Sequence, residues 1–312
     1  MEKIKLIITN LCILLCLNIY AQNNKEQQME ELVQKIYNNI HNYPQRPVFS
    51  VQVDKTGCRL SIEMKDYLDY KFTESNGESM NLPLNYFITK SGKQTAIIKV
   101  YPKEGEQYIS KYAMVNLNFY RAPDKDSNMD AYLLIAKYSL PQGLEEKKLP
   151  YYEAQVEFNA DVPFDYSKEL ENSMDLTKIS NIEEKVVYEY KKIGKIILDN
   201  DFKLYEEARL KYLINFYDVS YSTLEEIKQA ENEPITLFDE RFENKELLPI
   251  EDYVIQYYAG GKIVALWNKQ TMKSSLIIKG RGRKRDGTYR DMEIPSPLFL
   301  YMPKGNNELK VW

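Results

Sequence analysis

Tyr253-Val254-Ile255-Gln256-Tyr257-Tyr258-Ala259-Gly260-Gly261-Lys262-Ile263-Val264-Ala265-Leu266-Trp267 decides the reading of the C-terminal half. Two runs of β-branched and aromatic residues flank Gly260-Gly261, and paired glycines can both take the positive φ that a tight hairpin turn demands. Both runs are apolar at nearly every position instead of alternating. The hairpin is therefore expected at the centre of a sheet, with something packed on both faces.

Upstream, Ile182, Val186, Val187, Tyr190, Ile193 and Ile197 form one helical stripe, and Phe202, Tyr205, Ala208, Tyr212, Leu213 and Phe216 form a second. A third, short helix is expected from Ser222, with Ser222 and Glu225 as its capping box and Pro234 closing it. Downstream, strands are expected at 235–238, 274–279, 297–302 and 308–311. Helices followed by an antiparallel sheet describe a C-terminal α+β domain over residues 182–312.

The N-terminal part reads differently. Residues 23–43 carry Met29, Leu32, Val33, Ile36, Tyr37 and Ile40 on one helical face, with Pro44 after it, and this helix is expected to lie against the domain that follows. From Pro47 the period becomes two. The runs 48–53 and 58–64, joined by Asp54-Lys55-Thr56-Gly57, read as a half-buried hairpin, and further strands are expected at 69–73, 85–89, 94–101, 112–121, 131–138 and 151–158. Eight short strands with regular turn signals predict an antiparallel β-sandwich, which with its helix fills residues 22–160; residues 161–181 are a connector.

Residues 1–21 read as an export signal: Lys3 and Lys5, an apolar run from Leu11 to Ile19, and Ala21 before the cut. The run falls short of the roughly 20 apolar residues a membrane span needs. Lipidation at Cys16 is disfavoured by bulky Leu14 and Leu15 before it. Removing Cys12 and Cys16 leaves Cys58 alone, so no internal disulfide can form. The expected place is the periplasm of a Gram-negative cell. Charge is uneven: residues 144–252 hold 14 basic against 27 acidic side chains, and residues 262–312 hold 11 against 4. Such asymmetry can steer a charged partner or balance internally.

His41 is the only histidine, which removes most His-based nucleophilic chemistry and any zinc site built on several His or Cys. His41 with Cys58 is the one conceivable catalytic pair, and a helix end beside a buried thiol is the default. Asp124, Asp126, Asn128 and Asp130 alternate as calcium ligands do, but Met129 stands where the loop glycine belongs and Ile135 where a bidentate Glu belongs. An acidic turn is preferred, and no metal or cofactor is expected. Gly280 to Gly287 is basic and glycine-rich. For an exported chain nucleic acid is not the expected partner; a solvated hairpin tip comes first, and next a contact through Arg281, Arg283, Lys284 and Arg285 with an anionic headgroup or acidic protein. Among 26 tyrosines, Tyr67, Tyr70, Tyr151, Tyr152, Tyr257 and Tyr258 could stack on sugar or anchor a protein, though core packing is the commoner use.

Gly57-Cys58 through Ile62-Glu63, Leu84-Asn85-Tyr86-Phe87-Ile88 running into Lys90-Ser91-Gly92-Lys93-Gln94, Tyr101-Pro102 and the later Tyr258-Ala259-Gly260-Gly261-Lys262 turn together resemble uncharacterised exported two-domain proteins of Bacteroidota. The resemblance implies a periplasmic immunity or toxin-associated role and assigns no functional residue. The C-terminal half also resembles an NTF2-like domain at the level of fold. The expectation is a non-catalytic, exported protein-binding protein, an immunity protein against an antibacterial toxin. The alternatives are an envelope-glycan binder using tyrosines, and an enzyme with carboxylate or tyrosine chemistry in an NTF2-like pocket.

Overall fold

The computed structural model describes residues 27–284 and 286–312. The leader reading over residues 1–21, with Cys12 and Cys16, and the start of the first helix lie outside the described residues. Among those described, every strand pairing is antiparallel, four sheets form, and no helix is long and apolar enough to cross a membrane.

Eight strands come first: β1 Val48–Thr56, β2 Arg59–Met64, β3 Asp69–Phe72, β4 Glu78–Pro83, β5 Gly92–Tyr101, β6 Met114–Ala122, β7 Leu133–Ser139 and β8 Tyr152–Ala160. They make two four-stranded sheets, β4-β1-β6-β7 and β3-β2-β5-β8. The expected β1–β2 hairpin does not form. β1 pairs with β4 and β6, and β2 with β3 and β5. At Gly57, whose φ is +71°, the chain passes from one sheet to the other, and a Cβ there would meet the Tyr112 carbonyl and the Ala113 amide. Phe49, Val51 and Val53 thus share one core with Leu60, Ile62 and Met64 from opposite sheets. The supposed turn residue Lys55 lies inside β1 and is fully buried, its ammonium donating to the carbonyls of Cys58, Glu74 and Asn76 and paired with Glu78.

The expected strand at 85–89 is instead a turn of 3₁₀ helix at Asn85–Phe87. Asn85 is buried. Its Oδ1 accepts from the Phe49 amide at 2.8 Å, and its Nδ2 donates to the carbonyls of Pro47 and Val219 and to the Tyr221 hydroxyl. Four bonds to two distant segments, 47–49 and 219–221, outweigh the ladder bonds a short strand would offer. The eighth strand is β4, whose Glu-Ser-Met-Asn-Leu-Pro has little strand propensity and is held by its register on β1.

Residues 27–37 form helix α1. Its Val33 and Ile36 pack with Leu213, Tyr217 and Ile227, so it lies on later helices and not on the strands that follow it. Those helices are α2 Ser167–Glu171, α3 Ile182–Leu198, α4 Phe202–Val219 and α5 Leu224–Glu231. The α5 cap is one residue later than expected: Thr223 and Glu226 form the capping box, while Ser222 shares its hydroxyl with Ser220.

The last strands are β9 Phe242–Leu247, β10 Tyr253–Tyr258, β11 Ile263–Asn268, β12 Ile277–Arg283, β13 Tyr289–Pro295, β14 Leu300–Tyr301 and β15 Lys310–Val311. Residues 236–238 are a 3₁₀ turn, not a strand. β10 and β11 pair as expected, closed by a turn with positive φ at Ala259, Gly260 and Gly261. In the order β10-β11-β14-β15, however, β10 is an edge. Of the two hairpin strands only β11 has both faces buried. Ile263, Ala265 and Trp267 join the core of the first two sheets, whereas Val264 and Leu266 join a second core under α3. Tyr190 of α3 is fully buried there, donating to the Leu298 carbonyl at 2.6 Å and accepting from the Leu266 amide at 2.8 Å. On the other side, the Trp267 indole donates to Tyr258, Tyr258 donates to buried Asp69, and Asp69 also holds Ser61 and Lys71. Hydrophobic packing and this polar chain both fasten the hairpin to β2 and β3.

The third sheet in chain order of pairing, β13-β12-β9, explains the glycines of the basic segment. A Cβ on Gly280 would lie 2.6 Å from the Phe242 ring and 2.9 Å from the Glu243 carbonyl. Gly280→Ala should therefore cost about 1–3 kcal/mol through overpacking. Urea denaturation of the variant checks this, and Phe242→Leu in the same chain should recover part of the loss.

Candidate interaction surface

The basic segment is the β12–β13 hairpin itself, with its tip closed by the Gly287 amide donating to the Lys284 carbonyl. Glycines face inward and cations outward, as period two requires. Pairing brings carboxylates to both sides of the first two cations: Lys279 stands between Glu246 and Glu293, and Arg281 between Glu243 and Asp291. Arg281 also lies over the Tyr289 ring, 5.0 Å from its centroid. Arg283 and Lys284 are exposed nearer the tip. Arg285 lies outside the described residues. At its base the hairpin sets Lys279 and Arg281 between two rows of anions, which weakens its outward field there, while Arg283 and Lys284 stand beyond those carboxylates.

The acidic loop binds a cation of the chain's own. The Arg46 guanidinium donates to both carboxylate oxygens of Asp124, at 3.0 and 2.7 Å, and to Asp126 at 2.8 Å. The Asp126 amide, followed by Arg46, holds the Asp124 carboxyl below its usual range. Asn128 and Asp130 belong to a separate 3₁₀ turn at Met129–Ala131. Among the described residues no group of three or more His, Cys, Asp or Glu could hold a metal ion.

His41 and Cys58 have separate surroundings. Cys58 is buried among the strands, its thiol pushed up to about 11 by burial, with Sγ toward the Met114 carbonyl. His41 keeps an exposed ring against buried Asp218 on α4. Asp218 accepts from the His41 amide at 2.6 Å, from Tyr43 at 2.9 Å and from Tyr166. Burial first, and then the Asp218 charge, pushes both tyrosine hydroxyls above their usual range, so they stay protonated as donors. The cluster ties three distant segments together. The Asp69–Tyr258 pair is likewise enclosed by its own hydrogen bonds.

Of the six tyrosines singled out in the sequence, Tyr67 and Tyr258 are buried, Tyr70 and Tyr152 pack on the first core and Tyr257 on the second. Only Tyr151 is exposed, and its hydroxyl is taken by Glu153. Apolar exposure lies elsewhere. Met129 is 89% exposed, Leu133 60% and Leu134 54%, and all three lie at the start of β7, the outer strand of its sheet.

Comparison with the other sheet edges sets β7 apart. β4 carries Glu78 and ends in Pro83, β8 exposes Glu153 and Glu157, β9 carries Glu243, Lys245 and Glu246, and β13 carries Arg290, Asp291, Glu293 and Pro295. β3 has four residues and β15 two. β10 is covered by the Tyr253–Glu183 and Gln256–Lys71 bonds. Charge, proline and brevity are the usual protections of an edge. β7 has seven residues and the single charge of Lys137. The Leu140 amide bonds to the Val115 carbonyl, in register with the Ser139–Asn116 pair. Alternation then points the main-chain groups of Lys137 and Ser139 away from β6, toward the open edge.

At the far end of β7, roughly 20 Å from Leu133 at about 3.3 Å per residue, the β5–β6 and β7–β8 connections border a cleft of about 530 Å³ lined by residues 109–116 and 139–145. The expected strand at 131–138 is β7, but neither its place at an edge nor this cleft emerges from motif reading, because edge status depends on strand order, and periodicity carries no strand order. The one available signal was Leu133-Leu134 beside Met129 in a polar neighbourhood. No protein-family model, no curated protein and no solved structure matches the chain.

One buried carboxylate changes state near neutral pH. Glu206 on α4 bonds Arg209 at 3.0 Å through one oxygen, while the other is buried without a hydrogen bond. Burial, only partly offset by Arg209, raises its carboxyl from 4.5 to about 7. The folded chain holds this proton more tightly than the unfolded one, so the stabilisation is complete below about pH 4.5 and is lost as pH rises through 7. Between pH 5 and pH 8 the protein should lose on the order of 2–3 kcal/mol relative to its Glu206→Gln variant. Urea titrations of both chains at the two pH values measure the difference.

Proposed function

We propose that the chain is a non-catalytic, exported binding protein for another protein, with β7 as its contact edge. The observation that carries this reading is the unprotected edge with Met129, Leu133 and Leu134 exposed beside it. Exposed apolar side chains favour a protein contact, and the outward main-chain groups of Lys137 and Ser139 offer bonds to an extended segment. The first two sheets, read as the leaves of a β-sandwich, give this edge a rigid backing. Residues 182–312, read as an α+β unit with an NTF2-like arrangement, carry the charged β12–β13 hairpin as a second contact point.

The partner is a toxin delivered into the periplasm, and the chain acts there as its immunity protein after removal of the leader at residues 1–21. Support comes from the resemblance carried by residues 57–63, 84–102 and 258–262, and from the leader pattern. Main-chain recognition along β7 would resist sequence drift in the toxin better than a contact made only of side chains.

Capture on the tagged mature chain from the periplasm of cells under attack by a toxin-delivering neighbour tests the reading. One protein should be retained, and retention should fall at least tenfold, about 1.4 kcal/mol, with Leu133→Asp/Leu134→Asp and with Lys137→Pro, while Lys137→Ala retains it. Melting temperatures of the variants separate lost binding from lost fold. Recovery of no protein, or equal retention by folded Leu133→Asp/Leu134→Asp, overturns the proposal.

A further inference from the structure

The geometry points to a second site, and we infer that the cleft between the β5–β6 and β7–β8 connections binds a neutral glycan. The space of about 530 Å³ falls within the range of small-ligand clefts, which runs from about 300 to 1,000 Å³. Its only charged lining residues are Lys111 and Glu145, one of each sign, so the lining has no net charge with which to select an ion.

The remaining chemistry matches a pyranose. A sugar ring presents hydroxyls that both donate and accept around its rim, and a patch of C–H groups on its face. The matching protein groups are neutral amides and hydroxyls next to an exposed aromatic ring. Tyr112 supplies the ring: it is 68% exposed, and the Lys111 ammonium lies over it at 5.1 Å from the centroid. Its backbone is fixed by the amide donating to Ser110 Oγ at 3.1 Å and by the close approach of its carbonyl to Gly57. Asn116 supplies an oriented donor. Its Oδ1 accepts from Ser139 Oγ at 2.8 Å, which leaves the NH₂ group of this lining side chain as a donor, and Gln142 adds a second amide to the lining. Leu140 and Leu144 give the apolar floor.

This site adjoins the protein-binding edge at Ser139 but stands apart from its apolar part, because Leu133 and Leu134 lie at the other end of β7. It also differs from the tyrosine platforms suggested by sequence, which are mostly core. Sugar is favoured over peptide because the two bonded polar groups, Asn116 and Ser139, are side chains, and the lining also holds the exposed Tyr112 ring.

The test follows backbone amide resonances of the whole isotope-labelled mature chain during titration with chitotriose, cellotriose and maltotriose, and with trialanine as the peptide probe, each to about 10 mM. At least one trisaccharide should shift the amides of Tyr112, Asn116 and Ser139 with a Kd of about 0.1–5 mM, about −5.4 to −3.1 kcal/mol. Tyr112→Ala and Asn116→Ala should each weaken that binding about tenfold, the first without moving the melting temperature, since Tyr112 is exposed. No shift with any of the three sugars overturns the inference, as do shifts confined to residues outside the cleft, or an equal response to trialanine. Loss of toxin capture by the Leu133→Asp/Leu134→Asp chain with sugar shifts intact keeps the two sites separate.

Discussion

A strand that is apolar on both faces cannot rest against one layer, and β11 is that strand. Ile263, Ala265 and Trp267 require a core on one side, while Val264 and Leu266 require another on the opposite side. The N-terminal sheets supply the first and α3 the second. Each core alone would leave half of β11 in water, at roughly 1.5–3 kcal/mol for each large side chain left exposed. The two halves of the chain therefore meet along β11, and the first core runs on past residues 161–181 into Val219, Tyr221, Tyr301 and Trp312. Tyr190 completes the arrangement by meeting the Leu266 amide at a point where β14 no longer pairs with β11.

Buried polar groups in this protein mainly join segments. Asp69, Asn85 and Asp218 each collect donors from parts of the chain far apart in sequence, and Lys55 collects carbonyls at the crossing between the first two sheets. Satisfied in this way, such groups specify one arrangement of the segments and offer no free lone pair or proton to a substrate. Glu206 is different, since one of its oxygens has no partner. Chemistry-bearing residue types are thus present in number, but most are committed to holding the fold.

Local patterns were legible. The stripes of α3 and α4, the alternation in β2 and the β10–β11 hairpin could be read because each depends on neighbours within a few residues. Relations between distant segments could not. Residues 48–64 read as a hairpin, since period two says which side chains share a face but not which sheet a strand joins. Asn85 reads as part of a strand because its four partners lie 36 or more residues away or in other elements. β4 and β13 were missed because their residues have weak strand propensity and pairing alone holds them. For the candidate surface, the charge of the β12–β13 hairpin was legible and its compensation by β9 and β13 was not, because β9 is separated from it by a full strand pair. The exposed start of β7 was legible only as composition.

The docking of α1 onto α4 and α5 has a consequence in time. His41 reaches Asp218 across 177 residues, and Val33 and Ile36 find their cover only on Leu213, Tyr217 and Ile227. As the chain emerges from its N-terminus, the first helix is made long before the surface that covers it, and it must wait with an apolar stripe unburied while more than half of the protein is synthesised. Closure of the fold is then a late event, in which the beginning of the chain is fastened by its own distal helices. A truncated product lacking α4 and α5 would hold strands able to pair and a leading helix with nowhere to settle, which makes that helix a natural handle for chaperones and proteases that sort complete chains from incomplete ones.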